Sequence, residues 1–135
     1  MPRALPAFLL LCLAGCAIRP TADHQLADSE WRLTTLDGAA PAGNKPASLS
    51  FKGSEVQASI GCNRMRGAWH VEEQRLLAGP FRQTTVECRD IGLFEQEQAL
   101  QSLLVAGPKM DLEGDRLTLR SSGHQALLQK ISPRQ

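Results

Sequence analysis

The sequence predicts an α+β fold in which one helix packs on a mainly antiparallel sheet. Apolar and polar residues alternate in several short segments, which is typical of strands that bury one face. Glycine-containing turns separate most of these segments, and such short connections favour antiparallel neighbours. Residues 90–106 instead carry apolar side chains at helical spacing. The chain is therefore expected to form several strands, then one helix, then a final group of strands.

The strands are predicted from their alternating patterns. Trp31 and Leu33 fall on one face of the first strand. The next two segments alternate in the same way on either side of Gly53, which indicates a hairpin. Residues 61–67 are interpreted as a loop. The predicted strands are residues 31–37, 47–51, 56–60, 68–72, 75–80, 109–112, 116–120 and 125–130.

The predicted helix spans residues 90–106. Asp90 is placed to cap its N-terminus, and Gly107 followed by Pro108 ends it. Glu97 falls inside the apolar stripe of this helix, where a carboxylate is unexpected. The leucines that define the stripe are Leu93, Leu100 and Leu104.

The composition indicates one small globular domain with a mainly aliphatic core. The chain has 135 residues, of which 42% are hydrophobic, with two Trp, four Phe and no Tyr. Basic and acidic residues nearly balance, at 15 and 14, and no run of Lys or Arg occurs, which argues against a nucleic-acid partner. No stretch of about 18 apolar residues follows the N-terminal segment, so no membrane-spanning helix is expected. We expect a monomer.

The first fifteen residues resemble the signal peptide of a bacterial lipoprotein. Arg3 supplies the positive charge, and residues 5–13 form an apolar run that is too short to span a membrane. Leu13-Ala14-Gly15-Cys16 resembles the lipobox. The resemblance implies a diacylglyceryl group on the thiol of Cys16 and acylation of its amine, with palmitate as the typical acyl chain, so that the lipid bilayer becomes a partner. The alternative is an ordinary secretory signal with an incidental cysteine.

The segment after the signal peptide is interpreted as a tether. Residues 16–28 comprise the lipidated cysteine and a flexible stretch, because Pro20 and scattered small residues disfavour regular structure. An Asp after the lipidated cysteine resembles an inner-membrane retention signal, and Ala17 stands there instead. We therefore expect the outer membrane, with the domain facing the periplasm.

Cys62 and Cys88 are the two cysteines that remain once the signal peptide is removed and Cys16 is acylated. In an oxidising compartment they are expected to form a disulfide. The alternatives are free buried thiols, a nucleophile at Cys62 with His70 as its base, and a metal site. No established Cys–His spacing or metal-ligand spacing supports the last two.

Four separated motifs carry a family resemblance. They are Trp31-Arg32-Leu33 with Gly38, Gly61-Cys62-Asn63 with Gly67-Ala68-Trp69, Gly79-Pro80 through Thr84 to Cys88, and residues 95–100 with Leu117-Thr118-Leu119. Together they resemble the META-domain, or HslJ-like, family of small bacterial envelope proteins. The resemblance implies a domain over residues 29–131 in which a strongly curved sheet forms a partial barrel and one helix packs on it. It also implies an association with the envelope and with stress response, but no common reaction.

Four residues of these motifs are expected to be structural: Gly61, Asn63, Thr84 and Glu97. Asn63 is expected to bond nearby backbone or to adopt a left-handed turn, and Thr84 to bond backbone in a turn. The alternatives are direct contact of Asn63 with a ligand and a site at Thr84-Thr85. A buried carboxylate needs partners. Four roles are open for Glu97. It could lie at the edge of its stripe and reach solvent, or cap backbone amides of the loops 61–67 and 82–88. It could also pair with an arginine or act as a catalytic acid. The candidate arginines are Arg64, Arg66 and Arg82.

The functional expectation is a non-enzymatic, lipid-anchored envelope domain that binds an envelope protein or a small ligand, or that supports the envelope under stress. No catalytic, cofactor or metal site is expected. A periplasmic enzyme that acts on an exported or cell-wall substrate is the main alternative, and an inhibitor or chaperone-like partner is another. An enzyme should have a deep pocket with convergent polar groups, whereas a binding module should expose an apolar patch.

Overall fold

The computed structural model describes residues 2, 4, 15 and 16 and the continuous stretch 21–132. Apart from those isolated positions, the predicted signal peptide and the start of the predicted tether lie outside the described residues and stay predictions. Within residues 21–132 the chain forms nine strands and two helices. The strands are β1 (Glu30–Leu36), β2 (Ser48–Lys52), β3 (Glu55–Ser59), β4 (Arg64–Glu72), β5 (Arg75–Ala78), β6 (Arg82–Gln83), β7 (Lys109–Glu113), β8 (Arg116–Ser121) and β9 (His124–Ile131), and the helices are α1 (Ala22–Leu26) and α2 (Leu93–Val105).

Eight of these strands close into an antiparallel barrel. Their order is β3-β2-β1-β9-β8-β7-β5-β4, β4 pairs back onto β3, and the two-residue β6 is added to β4. The seam between β5 and β7 is short. Arg75 lies opposite Lys109, and the N–H of Leu76 donates to the carbonyl of Pro108 over 2.9 Å. The predicted antiparallel sheet is confirmed.

The predicted partial barrel is wrong, because the ring of paired strands is complete. The interpretation of residues 61–67 as a loop hid the pairing that closes it. β4 begins inside that segment, and its first five residues pair with the whole of β3, from Ser59 opposite Arg64 to Glu55 opposite Ala68. Closure leaves no open edge in the ring, so backbone groups that an open sheet would expose are paired.

The barrel interior is filled by the apolar residues of the alternating segments. Trp31 and Leu33 are buried as predicted, and Phe51 and Val56 are completely buried. Burial of a large aliphatic or aromatic side chain stabilises a fold by roughly 1.5–3 kcal/mol. Trp69 is half-buried and packs the edge of its ring on Phe51, with ring centroids 4.8 Å apart. The core is therefore mainly aliphatic and continuous around the barrel.

Helix α2 covers one mouth of the barrel. It packs against β1, β5, β8 and β9, and the hydroxyl of Ser121 at the end of β8 donates to the carbonyl of Leu103 over 2.6 Å. Its predicted leucine stripe is buried. The predicted cap at Asp90 is wrong, because Gly92, with φ of 84°, occupies the N-cap and no side chain caps the helix. Asp90 contributes its backbone carbonyl, which accepts a hydrogen bond from the N–H of Leu93.

Helix α1 belongs to the folded domain, although it lies within the predicted tether of residues 16–28. Leu26 is completely buried. The hydroxyl of Ser29 donates to the carbonyl of Leu26 and accepts the indole N–H of Trp31 over 2.7 Å. These contacts attach α1 to the start of β1, at the barrel end opposite α2, so the tether assignment is wrong for residues 22–28. Neither helix in residues 21–132 has the length and apolar character needed to cross a bilayer.

Candidate functional site

A disulfide joins the turn after β3 to the loop before α2. Cys62 and Cys88 are bonded, with their Cα atoms 6.1 Å apart and their positions in the sequence 26 apart. The predicted pairing is therefore present, and the alternative of two free thiols is wrong for this structure. A sulfur in a disulfide is neither a nucleophilic thiolate nor a thiolate ligand for a metal.

Asn63 fastens the loop that carries Cys88. Its side-chain carbonyl accepts hydrogen bonds from the backbone N–H of Val86, over 2.7 Å, and from the hydroxyl of Thr84, over 3.1 Å. Its side-chain NH₂ donates to the carbonyl of Val86, over 3.0 Å, and to Oε1 of Glu97, over 3.2 Å. The amide therefore pairs with both backbone groups of Val86, as a neighbouring strand would. The predicted structural role fits, but the bonded backbone is distant in sequence, and Asn63 does not have a positive φ.

Thr84 links this loop to the start of β4. Its hydroxyl donates to Asn63 and accepts the backbone N–H of Arg64 over 2.9 Å. The backbone N–H of Thr84 also donates to the carbonyl of Arg64 over 3.1 Å. The hydroxyl is thus a partner of the backbone, as predicted for a Thr in a turn.

Glu97 is buried beneath this loop, with 6% of its surface exposed. Its Oε1 accepts hydrogen bonds from the side-chain NH₂ of Gln83, over 2.7 Å, and of Asn63, over 3.2 Å. Its Oε2 has no hydrogen-bond partner among the described residues. The expectation that Glu97 reaches solvent is wrong.

The expected arginine and backbone-amide partners of Glu97 are also wrong. Side chains alternate along a strand, and Met65 of β4 points into the core, where it is 1% exposed. Arg64 and Arg66 therefore point outward, away from α2. Gln83 lies opposite Met65 in the β4–β6 pair and shares its inward face. Sequence reasoning missed Gln83, and only the register of this two-residue strand could have identified it.

Gly61 allows the chain to pass close to the segment before β2. Its φ is 112°, and a Cβ atom at this position would lie 2.8 Å from the backbone carbonyl oxygen of Lys45. Any other residue would force that segment away or distort the turn before Cys62. Glycine is therefore required here by both its conformation and its lack of a side chain.

No nucleophile–base pair is assembled around Cys62. His70 lies on the outer face of β4, six residues after Arg64, which corresponds to about 20 Å along a strand. Its ring is exposed and lies 3.6 Å from the carboxylate of Glu72. In the part of the chain that the structure describes, no group of three or more His, Cys, Asp or Glu side chains could hold a metal ion.

Comparison with known proteins decides the family. A family model described as "META domain" matches residues 24–132. The chain belongs to the META domain family. This META domain is 27% identical over 131 residues to "Heat shock protein HslJ" of Escherichia coli (strain K12), and the match covers 92% of this chain and 91% of that protein.

Two structures solved by NMR share the fold of this META domain. The first superimposes with a TM-score of 0.72 at 22% identity and covers 82% of this chain and 95% of its own. The second, a protein from Burkholderia xenovorans, gives a TM-score of 0.66 at 19% identity and covers 98% of this chain and all of its own. These likenesses establish the barrel architecture.

The META domain exposes three large apolar side chains around the second cysteine of the disulfide. Val86, Ile91 and Phe94 are 64%, 98% and 62% exposed, and we call them the apolar rim. They lie within nine residues of one another, in the loop that contains Cys88 and in the first turn of α2. The ring of Phe94 points to solvent, whereas the side chain of the preceding Leu93 is buried.

A separate polar contact ties the end of β1 to the start of β9. The carboxylate of Asp37 accepts the backbone N–H of Gln125 over 2.8 Å and contacts Nδ1 of His124 over 2.7 Å. Burial of the carboxylate raises the pKa of Asp37, but the hydrogen bonds from His124 and Gln125 outweigh it and hold that pKa below its ordinary value. The geometry is that of a strand-end clamp.

Proposed function

We propose that this META domain is a non-enzymatic binding module of the cell envelope, anchored by lipid on Cys16, that docks a partner protein through its apolar rim. The observation that carries the proposal is the exposure of Val86, Ile91 and Phe94. Exposed apolar side chains that are grouped on a surface mark interaction sites, whereas isolated ones need no explanation. The three residues lie within nine positions of the sequence, and this supports a binding module, which should expose an apolar patch.

The loop that presents Val86 is held to the barrel at two points. Cys88 is tied to Cys62, and the two backbone groups of Val86 are bonded to the side chain of Asn63. A surface that is ordered before binding loses little conformational entropy when the partner arrives. The bonds of Asn63 and the disulfide thus support a preformed docking surface.

The alternative of a periplasmic enzyme has one observation in its favour, the buried Oε2 of Glu97 that lacks a partner. Against it, the remaining polar groups of the cluster bond one another and the backbone. The side chains of Asn63 and Thr84 use their donors and acceptors internally. A substrate would have to displace these hydrogen bonds to reach Glu97.

The envelope location rests on the lipobox resemblance. Cys16 is exposed and outside the disulfide, and the described domain resumes at residue 21. Five residues span at most about 18 Å when extended, so acyl chains on Cys16 would keep the domain close to the bilayer. Ala17 supports the outer membrane, and the similarity to a heat shock protein supports a role under stress. The expected partner is another envelope protein.

Photo-crosslinking in intact cells tests the docking surface. The full chain would carry a photoreactive amino acid in place of Ile91 or Phe94, with Leu127 as the control because it is an exposed apolar residue of β9. We expect the same crosslinked protein from positions 91 and 94 and none from position 127. No product at the rim, or the same product from all three positions, would contradict the proposal.

Mass spectrometry of the mature chain tests the anchor separately. We expect an N-terminal fragment that begins at Cys16 and carries the mass of a diacylglyceryl group and an acyl chain. A chain that still begins at Met1 and remains in the soluble fraction would contradict the anchor and the envelope location together.

A further inference from the structure

The outer surface of β2, β3 and β4 is polar, and its first row of side chains contains no acidic residue. The inward residues of β2, β3 and β4 belong to the core, so the alternate residues point to solvent. The registers place Ser48 beside Ser59 and Arg64 in one row, and Ser50 beside Gln57, Arg66 and Arg82 in the next. Adjacent strands are about 4.8 Å apart, so each row is a short ladder of hydroxyl, amide and guanidinium groups.

An open groove of about 390 Å³ lies at the end of the first row, beside the disulfide. Lys45 and Arg64 supply its charge, Ser48 and Ser59 supply hydroxyls, and the Gly61–Cys62 turn forms one wall. The close approach of Gly61 to the carbonyl of Lys45 brings the segment before β2 against this turn. The groove is thus a consequence of the glycine and of the closure between β3 and β4.

The charge of this groove differs from that of other grooves on the described surface. Four others each combine acidic with basic or imidazole side chains, as in the 680 Å³ groove lined by Asp28, Glu30, Lys52 and Lys130. The groove beside the disulfide is lined by Lys45 and Arg64 and by no carboxylate. Among the described residues neither cation forms an ion pair. In a chain with 15 basic and 14 acidic residues this is a local excess of positive charge.

The hydroxyl of Ser59 lines the groove and is free to donate a hydrogen bond. Its oxygen accepts the backbone N–H of Gly61 over 3.0 Å. A hydroxyl that accepts one hydrogen bond keeps its own hydrogen for another acceptor. Two cations beside a hydroxyl donor make charge-assisted hydrogen bonds to an oxyanion, and guanidinium suits phosphate in particular.

We propose that the groove between Lys45, Ser59 and Arg64 binds a phosphate group, carried either by a soluble phosphate compound or by a phospholipid headgroup. This site uses none of the residues of the apolar rim. The phosphate site can therefore be confirmed or refuted independently of the docking function proposed above.

Calorimetric titration of the full acylated chain in a non-ionic detergent tests the site, with inorganic pyrophosphate as the probe and sodium chloride at equal ionic strength as the reference. We expect saturable binding of pyrophosphate by the wild-type chain. Lys45→Gln and Arg64→Gln should each weaken it roughly tenfold, because each removes one charge-assisted contact. Lys109→Gln, at an exposed position of β7 elsewhere on the barrel, should bind as the wild type does.

Absence of binding by the wild-type chain would overturn the proposal, and so would equal binding by all three variants. Thermal unfolding in chloride alone verifies that the variants are folded, since all three side chains are exposed. Doping the detergent with phosphatidylglycerol then distinguishes the sources. If phosphatidylglycerol raises the Tm of the wild type but not that of Arg64→Gln, the ligand is a phospholipid headgroup. If it raises both Tm values equally while pyrophosphate binds, the ligand is a soluble phosphate compound.

Discussion

Replacement of Asn63 by Ala should destabilise the domain more than any exposed substitution. The side chain makes four hydrogen bonds of 2.7 to 3.2 Å, to Thr84, Val86 and Glu97. A hydrogen bond contributes about 1 kcal/mol net, and buried groups left without partners add to the loss. Because Asn63 is 6% exposed, water replaces these contacts poorly. We expect the free energy of unfolding to fall by about 3–4 kcal/mol, a large share of the 5–15 kcal/mol that is typical of domains.

Equilibrium unfolding in urea, without reductant, measures this loss through the fluorescence of Trp31 and Trp69. Thr84→Val serves as a graded comparison, because it removes one hydroxyl with two hydrogen bonds and should cost about 1–2 kcal/mol. Gln98→Ala, on the exposed face of α2, should change stability by less than about 0.5 kcal/mol. If Asn63→Ala cost no more than Gln98→Ala, the amide would not be the fastener of the loop.

The disulfide and the strand-end clamp give two further predictions. Unreduced mature protein should take up no alkylating label at Cys62 or Cys88, and uptake of two labels would contradict the bond. Replacement of both cysteines by Ala should lower the free energy of unfolding by about 3.5 kcal/mol. Because the pKa of Asp37 is lowered in the folded state, its carboxylate stabilises the domain above the ordinary carboxyl pKa, and this contribution is lost as pH falls through the folded value. Asp37→Asn should therefore lower Tm at pH 7 and differ less from wild type near pH 3, and an equal difference at both would refute the clamp.

The sequence predicted the disulfide and the structural role of the site, but not the hydrogen-bond partners of its residues. The Gly61-Cys62-Asn63 motif and Cys88 indicated a structural joint, and the disulfide is present there. The partners of Glu97 could not be predicted, because they depend on where β4 begins. A shift of one residue in a strand exchanges its two faces. With residues 61–67 interpreted as a loop, Arg64 and Arg66 are candidate partners of Glu97. The observed register instead turns these arginines outward and brings Gln83 inward, where it bonds Glu97.

The sequence by itself determined the position of most strands, the alternation that buries one face of them, and the position of the long helix α2. These features depend on the period of neighbouring residues, as the burial of Trp31, Leu33 and the α2 leucines illustrates. Only the tertiary structure decided the closure of the barrel, the place of α1 and the bonds of Glu97. Those features come from contacts between residues far apart in the chain, such as Asn63 and Glu97, 34 positions apart, and local periodicity carries no information about such pairs.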